Sequence, residues 1–386
     1  MKRPPHALVA AVALSLSVLV AGCSSGDDDD DKRGPGKDTP ARLDGDWSVR
    51  GALAEVPMSA TGDRVFVQTG DLAAAVEAAG LERTDGGDVL DWLPPVTGVG
   101  RDGTTSQVFV PLADLVNPTR AGEDRLKAVL GFDLDAVDSF VNQSTPPNDF
   151  VVVSGADLSP DLLSDDLVDQ DGVLTDVEGE DLAINPQQLD DALSPLGRPT
   201  RIRAEEGAVV LSSTTPAVKD WRGDGETLAD NESLAAVASA LDDAGVYSAV
   251  VTEAVSGSDP AAEVLGPNVT PEQLEAVRKQ IEGTIPQQPY DAVGIGWAVE
   301  DGEARVHVAY HFADDDAASS GLETLEQAWS EGMAVQSRRP MSDYVTVADS
   351  ATDGPVATIT LSMVDQGPPA TVLNFLAQQE PVFVSR

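Results

Sequence analysis

Cysteine is nearly absent: Cys23 is the only one in 386 residues. No disulfide can close within the chain and no cluster of thiolates can hold zinc, so the fold must rest on its core. Basic residues are scarce as well. Lys and Arg total 24 against 66 Asp and Glu, for a net charge of −42. Such a surface repels nucleic-acid phosphates and anionic lipid headgroups, which excludes nucleic acid as a partner and membrane attachment through a polybasic patch. The acidity itself reads as solubility in a salty exterior rather than as the mark of a cationic partner. Histidines number three, His6, His307 and His311, so few imidazoles are on hand as general bases. No Gly-x-x-x-x-Gly-Lys phosphate loop occurs, and no dinucleotide-binding glycine triplet opens a helix after a strand. Long apolar runs are missing too. The uncharged stretch Ala7 to Ala21 would make a helix of about 22 Å, short of the roughly 30 Å hydrocarbon core of a bilayer.

What is present begins at the N-terminus. Lys2 and Arg3 precede the uncharged stretch, and small residues follow it. This is the layout of an export signal, not of a permanent span. The stretch ends Leu19-Val20-Ala21-Gly22-Cys23, which resembles the lipobox of bacterial lipoproteins. That resemblance implies a diacylglyceryl group on the Cys23 sulfur, cleavage between Gly22 and Cys23, and residence on the extracytoplasmic face of the cell membrane. Two acyl chains anchor stably where one does so only marginally, at about 0.8 kcal/mol per buried methylene. Beyond Cys23, Ser24-Ser25-Gly26, the aspartates Asp27 to Asp31 and Gly34-Pro35-Gly36 cannot bury a face and read as an acidic tether. The expected division is a signal at 1–22, a tether at 23–42, and two α+β domains at 43–262 and 263–386. Two Gly/Asp/Pro-rich stretches offer the boundary between the domains, Asp220 to Asn231 and Val255 to Asn268, and it is placed in the second.

Helix starts share a device. Asn185-Pro186-Gln187-Gln188 and Thr270-Pro271-Glu272-Gln273 each place a capping residue, Pro at the first helical position and Gln three after the cap. The first predicts a helix with Leu189, Ala192, Leu193 and Leu196 on one face, stopping at Gly197. The second predicts one carrying Leu274, Val277 and Ile281. Further helices are expected over Glu232 to Ala244, from about Asp316 to Glu331, and near Ala370 to Gln378. Hairpins are expected at 201–212, 292–312 and 344–363, around Gly207, Asp301-Gly302 and Gly354. Consecutive hairpins imply antiparallel pairing, so the fold class is α+β. Gly294 and Gly296 alternate on a strand, where their absent side chains would admit a neighbouring element. Val65-Phe66-Val67, Val108-Phe109-Val110 and Val151-Val152-Val153 recur at 43-residue intervals, each followed by Asp-Leu (Asp71, Asp114 and Asp157), the signature of a possible strand-turn-helix repeat.

Two constellations invite a metal. His307 and His311 would share a helix face, but Val306, Val308, Tyr310 and Phe312 alternate as on a strand. There the two rings stand about 13 Å apart, too far to share zinc. Asp169, Asp171, Gly172 and Glu178 match part of an EF-hand loop, but Leu167 fills the first ligand position, so an acidic surface loop is the better reading. No residue is singled out as catalytic, cofactor-binding or metal-ligating, and Cys23 is the one modification site. Gly131 to Asp138 and Tyr290 to Gly294 resemble segments of uncharacterised actinobacterial lipoproteins, a family that lends no activity. The chain thus reads as a membrane-anchored lipoprotein that binds an unidentified protein or ligand of the envelope without catalysis. The alternatives are a transporter's solute-binding subunit, which would have two parallel-stranded lobes around a cleft, and a carboxylate-dependent envelope hydrolase.

Overall fold

In the computed structural model, residues 43, 46–83, 89–100, 104–112, 123–189, 192–194, 196–255, 269–281, 285 and 288–385 are described. The signal, Cys23 and the tether lie outside them.

Twelve strands form one sheet: β1 (Phe66–Asp71), β2 (Ser139–Thr145), β3 (Asn148–Ser154), β4 (Val168–Gln170), β5 (Val173–Thr175), β6 (Arg201–Glu205), β7 (Ala208–Ser212), β8 (Ser248–Glu253), β9 (Tyr290–Glu300), β10 (Glu303–Phe312), β11 (Val345–Asp353) and β12 (Val356–Met363). Their order across the sheet is β11-β12-β10-β9-β8-β1-β2-β3-β7-β6-β5-β4. Every neighbouring pair is antiparallel. The α+β class stands, and the three expected hairpins form. The middle one turns on Asp301 (φ 52) and Gly302 (φ 81), the left-handed pair a two-residue hairpin needs.

The division into two domains at 262/263 is corrected. The boundary itself lies outside the described residues, but β8 and β9, on either side of it, pair from Ser248↔Trp297 to Glu253↔Ala292. One sheet runs through both halves, and the described residues from 43 onward belong to a single unit. Among the described residues the two parallel-stranded lobes of a solute-binding subunit do not form.

Each face of the sheet carries its own core. Val151 and Val153 point to one, with Phe140, Ile295, Trp297 and Trp329. Phe150 and Val152 point to the other, with Val141, Trp221, Val237 and Leu241. Strands buried on both faces read as unbroken runs such as Val151-Val152-Val153 because neither parity can be polar. The first face is covered by α1 (Leu72–Ala78), α2 (Val89–Val96) and, in the C-terminal half, α3 (Asp315–Glu331) and α4 (Thr371–Ala377); the second is covered chiefly by α5 (Glu232–Asp243). The caps are local. Asn231 Oδ1 accepts from Leu234 N at 3.2 Å and Asp314 Oδ1 from Ala317 N at 2.8 Å. In the helix Pro271–Ile281, Gln273 N donates to Thr270 Oγ1 at 3.3 Å and Thr270 N to Gln273 Oε1 at 3.0 Å, a reciprocal capping box.

The glycines of β9 do what their alternation implied. A Cβ on Gly294 would run into Val237 Cγ1 of α5, and one on Gly296 would sit 2.6 Å from Val246 Cγ1. Gly294→Ala is therefore expected to cost about 1–3 kcal/mol by overpacking, read as a lower urea midpoint.

Two expectations fail. Of the helix expected from Asn185 to Gly197, the described residues form only a 3-10 turn, Pro186–Gln188. Asn185 caps Gln187 N at 3.1 Å, and Ala192 and Leu193 are buried, but Leu189 and Leu196 stand exposed. The cap formed, but no second apolar row was buried to extend it. The 43-residue echo is not a repeat. Asp71 caps α1 through Ala74 N at 2.8 Å, whereas 105–109 lies in a separate two-stranded sheet, Asp114 lies outside the described residues, and Asp157 sits in a turn.

Candidate functional site

Strand β6 opens on Arg201, a cation in an acidic chain. Its side chain is pulled under the hairpin β4–β5 and left 1% exposed. Burying a guanidinium requires partners for its donors, and three acceptors converge. Nε donates to Asp181 Oδ1 at 2.8 Å, Nη1 to Gln170 Oε1 at 3.1 Å and Nη2 to the Gly179 carbonyl at 2.6 Å. Asp181 in turn accepts from Thr215 N at 2.7 Å and from Thr215 Oγ1 at 2.8 Å. One arginine thereby ties together three segments far apart in sequence.

Above this latch lies an open cleft of about 570 Å³ whose walls include Asp171, Glu180, Asp181, Arg201, Thr215 and Lys219. Burial pushes the Asp181 carboxyl up, but the hydrogen bonds from Thr215 and the Arg201 guanidinium outweigh it and hold the group below its ordinary range. Asp181 is thus an ionised acceptor at neutral pH, unsuited to donating a proton. The cleft is open to solvent and its walls are largely polar, with Asp181, Arg201 and Thr215 paired to one another.

The EF-hand-like run borders this cleft but is not a calcium loop. Asp171 (φ 59) and Gly172 (φ 80) form the turn of the β4–β5 hairpin, and Asp169 Oδ1 accepts from Gly172 N at 2.9 Å. The spacing that mimicked ligands is therefore that of a hairpin turn. Among the described residues no group of three His, Cys, Asp or Glu is placed to hold a metal ion.

The histidines lie on β10, as the alternation required, and engage different partners. His311 Nδ1 meets Asp291 Oδ1 at 2.7 Å and His307 Nδ1 meets Thr360 Oγ1 at 3.1 Å. His307 Nε2 is buried with no hydrogen-bond partner among the described residues. Burial holds its pKa below the ordinary 6.5, with Arg305 acting in the same direction and Glu300 opposing. Below that ordinary value the unfolded chain takes up the proton more readily than the folded one, so this contribution to stability is lost as the pH falls from 6.5 towards the folded pKa. His307→Gln is expected to flatten the decline in unfolding free energy between pH 7 and 5, measured by urea titration at each pH.

A second buried charge cluster carried no sequence signal. Glu55, at the end of the helix Val49–Ala54, is 2% exposed. Its Oε2 accepts from Trp221 Nε1 at 2.7 Å and from Arg222 Nε at 3.0 Å, and its Oε1 from Arg222 Nη2 at 2.8 Å. Arg222 also reaches Glu205 at 3.3 Å, which accepts from Arg203 at 2.6 Å. The two guanidinium groups lie 5.4 and 4.7 Å from the Trp221 ring centre, within cation–π range. With every carboxylate oxygen occupied, this cluster clamps three segments and offers no reactive group.

Among the described residues no helix is long and apolar enough to cross a membrane. No family model matches the chain, and no curated protein matches it. Among solved structures, TP0453 in crystal form I is similar over 83% of this chain and 97% of that one, at 8% identity and a TM-score of 0.34. In crystal form IV the shares are the same, at 10% identity and a TM-score of 0.36. A superposition this loose transfers neither fold nor function.

Proposed function

We propose that this chain is an extracytoplasmic lipoprotein, held on the cell membrane by lipid on Cys23, whose folded region acts by binding rather than by catalysis. The observation that carries the anchor is the position of the only cysteine, at the end of Leu19-Val20-Ala21-Gly22-Cys23. A body of charge −42 has no electrostatic means of holding an anionic bilayer, so attachment falls to acyl chains. A binding role is supported by the cleft over Arg201, whose walls carry the exposed polar side chains of Asp171, Glu180 and Lys219. Carboxylate hydrolysis is disfavoured there because Asp181 is held ionised by its donors. Growth with a labelled fatty acid tests the anchor: label should enter the protein and be lost with Cys23→Ala. Labelling that survives this change, or none in the native chain, refutes it.

A further inference from the structure

The sheet ends at one side on β4, three residues long, and at the other on β11, nine residues long. On β11, Val345 is buried and the Ser350 hydroxyl bonds Glu326 of α3, so one face is packed. On the other, Thr346, Asp349, Ala351 and Asp353 are exposed. A bulge falls between Val347 and Asp349. Beyond it, Asp349 to Asp353 keep unbroken register with Thr360 to Val356. In an antiparallel strand alternate residues direct their N–H and C=O away from the neighbour, and on the outer side of β11 no strand among the described residues receives them. The strand, Val-Thr-Val-Ala-Asp-Ser-Ala-Thr-Asp, contains neither Pro nor Lys; its bulge at 347–349 and its aspartates deter pairing with a like-charged edge but leave 349–353 open to a basic one.

We propose that the outer edge of β11 receives an extended basic segment of a partner protein as a thirteenth strand. Backbone hydrogen bonds would supply the pairing, as in other strand-addition complexes, and charge would select the partner. Asp349 and Asp353 lie along the edge, and Asp315 Oδ1 sits 3.8 Å from where a Cβ on Gly354 would be, at the hairpin tip. A second copy of this chain is the wrong occupant, because pairing two such edges brings aspartates together between bodies each at −42. The chain's own stretch Asp27 to Asp31 is excluded by the same repulsion. Lys and Arg side chains at alternate positions of an incoming strand would instead lie beside Asp349 and Asp353. This inference stands independently of lipid on Cys23.

The test uses the purified full chain and an eight-residue peptide alternating Lys and Val. A second peptide of equal charge carries N-methyl groups along one edge and cannot complete the ladder. The plain peptide is expected to bind about tenfold more tightly, for roughly two backbone hydrogen bonds at stake, and to slow amide exchange in residues 345–353. Asp349→Lys with Asp353→Lys, both on the exposed face, should abolish that binding and admit a Glu-Val peptide instead. Equal binding of both peptides would reduce the effect to charge alone. That result, protection confined elsewhere, absence of binding, or self-association that vanishes in the double variant would each overturn the proposal.

Discussion

Glu55→Ala is expected to cost about 3–5 kcal/mol of folding stability, because it removes the buried carboxylate that pairs with a buried guanidinium. Arg222 loses its hydrogen bonds to both Glu55 oxygens, at 3.0 and 2.8 Å, and Trp221 Nε1 loses its 2.7 Å acceptor. Surface ion pairs are worth far less, about 0–1 kcal/mol, so the size of the loss reports how dry the site is. The pair carries about the same exposure on both sides, 5% for the Arg222 side chain and 1% for that of Glu55. Glu55→Leu with Arg222→Leu should recover much of the loss, since removing both charges avoids the uncompensated one. Urea unfolding of the three proteins measures this. A loss under about 1 kcal/mol for Glu55→Ala would show the cluster to be solvated and the clamp unimportant.

Cys23→Ala is expected to move the protein from the membrane pellet to the soluble fraction. With no acyl chains, the remaining candidate for attachment is the stretch Ala7 to Ala21, and a helix of about 22 Å does not span the bilayer core. High salt should leave the native protein in the pellet and detergent should release it, since the bond to the membrane is apolar rather than ionic. Membranes washed with salt and carbonate provide the assay. Retention of Cys23→Ala there would mean that something other than lipid holds the chain.

What could be read from the residues was whatever is decided within a few positions. The caps at Asn231, Thr270 and Asp314 are formed by side chains reaching three residues ahead, and the turn at Asp301-Gly302 needs only its own dihedrals. Both therefore show in local patterns. The joining of the halves does not, because β8 and β9 are separated by residues 254–289 and pair through backbone groups that carry no sequence code. The same limit hid the latch and the clamp: Arg201 meets Asp181 across 20 positions and Glu55 meets Arg222 across 167. Among so many carboxylates no one partner stands out. Scarcity was the usable signal, for in a chain with 24 basic residues a cation at the head of a strand had to be stabilised somewhere. The stretch after Asn185 failed for a different reason. Its apolar spacing fits a helix, but only Ala192 and Leu193 found a surface to cover, and a capped turn without burial does not propagate.

The most direct test of membrane anchoring is the intact mass of the mature N-terminal peptide from protein made in its own cell type. A peptide beginning at residue 23 and heavier than its sequence by a diacylglyceryl group, with or without a further acyl chain, is the expected result. A free thiol at that residue, or a mature terminus at any other position, would contradict it.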